Sequence, residues 1–263
     1  MAKPVLYHND MSVCAAKVRM ALAEKGVEWD GVHLNLRAGD AQKPDYVKLN
    51  PHQVVPTLVH DGAVVIESNV ICEYIDDAWP EQPLRPATAA GRARMRLLMK
   101  QLDDSVHAAT GTISTCIAFR FQQLKRPPEE LRAWLDNMVD AARRERMRAN
   151  IEQGMDSSYF VAAVRRFNAL LAEFDAALAA GPWLAGETFS LADIAYAPYM
   201  LRLRHLGLDH MILGRPRVSA WIDRLFARPS YQGGIAAWVN PGYVEIFDRE
   251  RDAARARARA ILA

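Results

Sequence analysis

The side chains best suited to chemistry fall in three short stretches of the first 70 residues. In Tyr7-His8-Asn9-Asp10-Met11-Ser12-Val13-Cys14-Ala15-Ala16-Lys17-Val18-Arg19, a hydroxyl and a lone thiol sit where a strand gives way to a helix. First-turn amides of a helix lack partners and carry the positive end of its dipole, so Ser12 and Cys14 are placed to stabilise a sulfur anion. A plain cap and a small buried hydrophobe are the alternative, and these residues alone leave both readings open. A second stretch, Asn50-Pro51-His52-Gln53-Val54-Val55-Pro56-Thr57-Leu58, puts a proline at the entrance of a strand. Proline cannot donate to a ladder, and a cis Val55-Pro56 bond would turn the Val55 amide and carbonyl outward to pair with an extended, peptide-like ligand. In the third, Ile66-Glu67-Ser68-Asn69, Ser68 opens a helix whose hydroxyl and first amides suit a carboxylate, while Glu67 suits an ammonium. Ser68 as a plain cap is the other reading.

These stretches need a small α/β scaffold, and the hydrophobic pattern supplies one. It predicts strands over 4–7, near 29–34, and over 57–60 and 63–66, with Asp61-Gly62 as a hairpin turn and helices over 14–26 and 68–78. Trp79 to Gly91, with Pro80, Pro83 and Pro86, reads as a linker. Beyond it the pattern is helical, over 91–120, 128–153, 157–180, 190–205 and 216–228, and Arg249 to Arg259 reads as a solvated Ala/Arg helix. Thr188-Phe189-Ser190-Leu191-Ala192-Asp193-Ile194 is a full helix start: Ser190 is placed to cap the amide of residue 193, Asp193 to reach back to Ser190, and Phe189 to pack on Ile194. The expected organisation is an α/β domain at 1–80, a linker at 81–90 and an all-helical domain at 91–263.

With 263 residues, 51% of them hydrophobic, the chain can bury one large core or two modest ones. A net charge of +2, and acidic residues interleaved with the C-terminal arginines, argue against a nucleic-acid partner. Cys14, Cys72 and Cys116 form no disulfide framework and point to a reducing compartment; the last two lie on apolar helical patterns and read as core. The seven histidines show no metal-ligand spacing. No apolar run suits a signal peptide or a membrane span, so the expectation is a cytoplasmic protein without a membrane partner. Abundant Ala and Arg suggest a bacterial source.

Ser12 or Cys14 at the first helix, Val55-Pro56 before a hairpin, Glu67-Ser68 before a helix, a proline-rich linker and the Ser190/Asp193 helix start together resemble the glutathione transferase superfamily, over nearly the whole chain. The resemblance implies a thioredoxin-like domain of βαβαββα order, an all-α second domain, usually a homodimer, a role in detoxification, and glutathione bound as co-substrate at the domain interface. It also implies that the Val55 backbone, ahead of Pro56, pairs with the cysteinyl unit, that Glu67 and Ser68 hold the γ-glutamyl end, and that His52 or Gln53 approaches the glycyl carboxylate. Ser12-Val13-Cys14 resembles the zeta class and bacterial tetrachlorohydroquinone dehalogenases, whereas Arg143-Arg144-Glu145-Arg146, in an insertion over 120–160, resembles bacterial β-aryl etherases. Val13 and Ala15 stand where zeta enzymes carry serines, which argues against maleylacetoacetate isomerisation. Met11 replaces the first cysteine of a redox Cys-x-x-Cys, which argues against dithiol chemistry.

The expected activity is then glutathione transfer. Ser12 donates to the glutathione sulfur, which attacks a hydrophobic electrophile (aromatic, halogenated or an aryl ether) held by the helical domain, and Cys14 is a second donor or a nucleophile that resolves the conjugate. The rivals are a non-catalytic binding or scaffold protein of the same fold, and a thiol transferase that depends on Cys14. His8, Met11, His107, Phe119 and Tyr199 are candidates to line the electrophile pocket, and the resemblance implies that Asp103 and Asp104 reach the γ-glutamyl amine of a partner subunit.

Overall fold

A computed structural model describes residues 2–138 and 140–263. The first part of the chain runs β1 (Val5–His8), α1 (Val13–Glu24), β2 (Asp30–His33), α2 (Pro44–Val47), β3 (Thr57–His60), β4 (Ala63–Val65) and α3 (Ser68–Ala78), the expected βαβαββα order. The sheet order is β2-β1-β3-β4, with β1 parallel to β2 and antiparallel to β3, and β3 antiparallel to β4. Leu6 and Leu58, opposite each other on the central strands, are fully buried and fix which face turns inward. Asp61 and Gly62 both have positive φ, 48° and 79°, as a tight two-residue hairpin turn of this hand requires.

The remainder is helical. A continuous run from 89 to 123 comprises α4 (Ala89–Gln101), α5 (His107–Ser114) and α6 (Arg120–Gln123), joined by π turns at Leu102–Val106 and Thr115–Phe119. It is followed by α7 (Pro128–Asp136), α8 (Ala141–Gln153), α9 (Ser158–Ala177), α10 (Leu191–His205), α11 (His210–Leu213), α12 (Pro216–Phe226), α13 (Pro229–Gly234), α14 (Pro241–Asp248) and α15 (Arg251–Leu262). The single helix predicted over 128–153 is two. Asn137 closes α7, and Asp140 caps α8 by accepting the amides of Ala142 and Arg143 at 2.9 and 3.1 Å; position 139 lies outside the described residues. Helices α11, α13 and α14 were not expected, because segments of four to eight residues are too short to show a period.

The chain divides into two compact units. One holds residues up to Met99 together with Ala180–Pro198 and Trp221–Asn240; the other holds Lys100–Ala179, Tyr199–Ala220 and Pro241–Ala263. In the first, α1 is buried over eight consecutive residues, Ala15 to Leu22, so it must be covered on every side. Helix α3 covers one side and α13 another, and Gly234 comes so close that an added Cβ would lie 2.6 Å from the Met20 backbone. The helix start at Ser190 departs from the expectation in one respect. Asp193 does reach back to the Ser190 amide at 2.9 Å, but the Ser190 hydroxyl donates to that same carboxylate at 3.1 Å instead of capping residue 193. Asp193 also accepts the Leu184 amide and the Trp221 indole, while burial pushes its carboxyl up to about 6.

The second unit is built on α9, whose Phe160, Val164, Phe167, Leu171 and Phe174 repeat at helical spacing and are fully buried, with α5 packed alongside. The Arg120 guanidinium closes the end of α8 by donating to the Ile151 and Glu152 carbonyls at 2.8 and 3.0 Å. Gly154 follows at φ 58°, where a Cβ would press on that guanidinium.

Candidate functional site

Sheet topology brings the three chemical stretches to one end. Tyr7 pairs with Thr57 and Leu58 with Val65, so the exit of β1, the entry of β3 and the exit of β4 lie side by side. Loops 9–12, 51–56 and 66–68 therefore share that edge, and α1 and α3 begin there.

Ser12 caps α1: its Oγ accepts the Ala15 amide at 3.1 Å. Accepting that bond leaves the hydroxyl proton available to donate outward, so capping and thiol activation are compatible roles. Cys14 lies half-buried in the first turn of α1 and forms no disulfide. The loop ahead of Ser12 is fastened from beneath by Arg19, which donates to the carbonyls of Asn9 at 3.0 Å, Asp10 at 3.3 Å and Gly234 at 3.0 Å, with its guanidinium 4.9 Å from the Trp238 ring centre. Burial brings Arg19 down to about 10, still a cation at neutral pH. Asn9 donates to the Leu34 carbonyl at 2.9 Å, and Asp10 accepts from Asn240 at 2.9 Å. His8 is 1% exposed and packed edge-on against Trp29, His33 and Trp238, so it wedges the core rather than lining a pocket. Burial, with Arg19 adding, holds its ring down to about 4.

The Val55-Pro56 peptide is cis, as expected. Its loop hangs on a buried polar triad: Tyr46 Oη and Asn50 Nδ2 both donate to the Val54 carbonyl, at 2.5 and 2.9 Å, and both meet Thr57 Oγ1. The Val54 carbonyl is thereby spent, while no hydrogen bond among the described residues takes the Val55 amide or carbonyl. His52 and Gln53 are exposed on the same loop, Gln53 at φ 57°. Glu67 precedes α3 at φ 68°, ψ 110°, an unusual conformation for a non-glycine residue, with its side chain exposed and Ser68 buried behind it. From α1, Lys17 donates to Asn69 Oδ1 at 2.7 Å, and Asn69 donates to the Met99 carbonyl at 2.9 Å.

In the other unit, His107 Nδ1 lies 3.1 Å from Tyr199 Oη. Nearby, Arg202 is buried, donates to Ser114 Oγ at 3.0 Å, and sits 4.9 and 5.8 Å from the ring centres of Phe247 and Phe119. Phe119 packs edge-on against Tyr243. Burial lowers Arg202 to about 10 and, with Arg202 adding, His205 to about 4. Met11 is half-buried beside Ser12; Asp103 and Asp104 are exposed on the first π turn. Cys72 and Cys116 are buried as expected, and burial pushes the Cys116 thiol up to about 12, far from reactive. Among the described residues no three His, Cys, Asp or Glu side chains are grouped to hold a metal, and no helix is long and apolar enough to cross a membrane.

Sequence reasoning passed over Arg19, Lys17, Asn69, Tyr46, Asn50 and Arg202. A signal existed for two of them: Lys17 and Arg19 interrupt an otherwise apolar run on a helix with no polar face.

A thioredoxin-like sheet whose loops converge on two helix N-termini, followed by an array of helices, is the build of a glutathione S-transferase, and the chain belongs to that family. Residues 3–77 match the glutathione S-transferase N-terminal domain and residues 140–224 its C-terminal domain. Glutathione is the family's co-substrate. Among relatives, the chain is 29% identical over 231 residues to Protein LigF of Sphingobium sp. (strain NBRC 103272 / SYK-6), covering 86% of this chain and 90% of that one. It is also 29% identical over 255 residues to the tetrachloro-p-hydroquinone reductive dehalogenase of Sphingobium chlorophenolicum, covering 89% and 100%. The crystal structure of beta-etherase LigF from Sphingobium sp. strain SYK-6 superposes with a TM-score of 0.80 at 28% identity, covering 90% of this chain and all of that one.

Proposed function

We propose that this chain is a glutathione transferase in which Ser12 activates the thiol and residues of 91–263 hold an aromatic electrophile, halogenated or an aryl ether. One observation carries the reading: the Ser12 hydroxyl, its proton uncommitted, stands on the sheet edge that also presents the unspent Val55 backbone and the N-terminus of α3. The Val55 amide and carbonyl pair with the cysteinyl unit of glutathione, the Ser68 hydroxyl and first amides of α3 take the γ-glutamyl carboxylate, Glu67 takes its ammonium, and His52 and Gln53 border the glycyl end. Holding a thiol of pKa about 8.5 as thiolate at neutral pH calls for a shift of about 2 units, or about 2.7 kcal/mol, which a hydroxyl donor and a helix N-terminus together supply.

The thiolate forms a carbon–sulfur bond, and halide or aryloxide leaves with the bonding electron pair. Cys14 is either a second donor to the thiolate or, where the substrate carbon can depart as a stabilised carbanion such as that of a quinol, a nucleophile on the conjugate sulfur. In that case the sulfur–sulfur bond forms, the carbon leaves with the carbon–sulfur pair and takes up a proton, and a second glutathione exchanges with the mixed disulfide to free Cys14 and release glutathione disulfide. His107 and Phe119 offer aromatic and hydrogen-bonding surface to the ring, whereas Tyr199, expected in that lining, is 0% exposed and, like Arg202, supports it from behind. The relatives named beta-etherase and reductive dehalogenase favour substrates of this kind. Residues 1–80 serve glutathione in this scheme. A homodimer through α3 and α4 fits Val70 and Leu97, which are exposed at 55% and 69% beside the Glu73–Arg96 ion pair. The setting is a bacterial cytoplasm, and the role detoxification or breakdown of aromatics.

A glutathione titration at neutral pH, followed by the ultraviolet absorbance of bound thiolate, tests the proposal. Saturable thiolate that disappears in Ser12→Ala while glutathione still binds is the expected result. Unchanged turnover in that variant removes Ser12 as activator, and absence of glutathione binding in the native protein points to a scaffold.

A further inference from the structure

Two lysines of the first unit are buried, and only one is provided for. The Lys25 ammonium pairs with Asp76 at 2.6 Å and donates to the carbonyls of Trp79 and Gln82, so its three protons and its charge are all met. Lys17 is 0% exposed, yet among the described residues its ammonium has one acceptor, the neutral Asn69 Oδ1, and takes part in no ion pair. A buried charge without a counter-ion is costly, and a fold tolerates it where something else completes it.

Its position says what that is. Lys17 stands one helical turn after Cys14 on α1, and Asn69, next to Ser68 in the first turn of α3, holds its ammonium at the N-terminal end of that second helix. Both helices begin at the same sheet edge, so a fixed cation at the first turn of α3 adds to the positive ends of the two helices there.

We propose that Lys17 is the buried counter-charge of the bound thiolate, a positioning residue that holds the sulfur ionised through the field beneath it while Ser12 makes the direct hydrogen bond. This rests on the glutathione reading above and adds a term that Ser12 does not supply.

The test follows bound-thiolate absorbance against pH in the native protein and in Lys17→Met, with S-methylglutathione, which has no ionisable thiol, as the control ligand. The midpoint of thiolate formation in Lys17→Met is expected about one pH unit higher, a tenfold loss of thiolate on the rising limb. S-methylglutathione should bind both proteins alike, and ligand-free Lys17→Met should melt no lower than the native protein, because an unpaired buried charge has been removed. An unchanged midpoint overturns the inference. So does equal weakening of S-methylglutathione, which would assign the cation to another part of the tripeptide, and so does a lower melting temperature of ligand-free Lys17→Met, which would make Lys17 a strut of the fold. Failure of the native protein to form bound thiolate is a separate outcome, and it counts against the Ser12 reading itself.

Discussion

Arg19 and Arg202 are near twins in environment and opposites in use. Each is a buried guanidinium brought down to about 10, each lies 4.9 Å from an aromatic ring centre, and each helps hold a neighbouring histidine down to about 4. Beside a 3.4 Å bond to His8 Nδ1, the bonds of Arg19 go to backbone carbonyls of two distant segments, so it fixes the course of the chain around Ser12. Arg202 bonds the Ser114 side chain and lies against the rings of Phe119 and Phe247, so it fixes the make-up of the aromatic cluster proposed to back the electrophile. A site that must place a backbone leaves little room to vary; a lining can be exchanged residue by residue. The half proposed to bind glutathione is built the first way, and the half proposed to meet the electrophile is built the second.

The sharpest way to break this contrast is Arg19→Met. Three charge-assisted bonds are lost and the Asp10 and Gly234 carbonyls are left unanswered, Asn9 keeping the Ser12 amide at 3.4 Å, so urea denaturation should show a loss of about 3 kcal/mol, and glutathione affinity should fall with it. Gly234→Ala comes next: the new Cβ meets helix backbone, which cannot yield, and about 2 kcal/mol should be lost by the same measurement.

Acid should then act on both regions. His8 and His205 have folded-state values near 4 against about 6.5 unfolded, so their contributions are whole above 6.5 and are lost as pH falls through 4. Asp193, raised to about 6, acts with the opposite sign: its contribution is whole below its unfolded value and fades as pH rises through 6. The melting temperature should therefore drop between pH 6.5 and 4 by the two histidines less the carboxylate, and His205→Phe should remove about half of the histidine part. The smallest effect on stability is expected for Arg202→Met, within about 1 kcal/mol, since a buried charge is replaced by an apolar chain of similar reach. Its signature should be kinetic: KM for an aryl electrophile changes several-fold while glutathione affinity stays. Equal damage to both ligands would erase the distinction between the two arginines.

The first unit was more legible than the second for the same reason. The strands and the helices α1 and α3 agree with the pattern to within about two residues, because alternation, Asp61-Gly62 and Val55-Pro56 are local signals, while the four-residue α2 left no period and came only with the family resemblance. Ser12 as a cap was equally local. What escaped was made of distant partners: the Tyr46, Asn50 and Thr57 triad, Arg19 with Gly234, and Lys17 with Asn69 join residues separated by up to 215 positions. The π turns left no trace in the hydrophobic period, and the Asp140 cap looks like any charged residue until α7 is seen to stop.

The first unit is gathered from three stretches of chain, the last ending at Asn240. A ribosome finishes the sheet early, yet the Gly234 carbonyl that receives Arg19, the Trp238 ring beneath it and the Asn240 amide that steadies Asp10 are among the later residues to emerge. The loop that carries Ser12 is therefore fastened only after residue 240 has been made. A nascent or truncated chain can carry Ser12, Cys14 and the whole sheet and still lack a formed loop to present them.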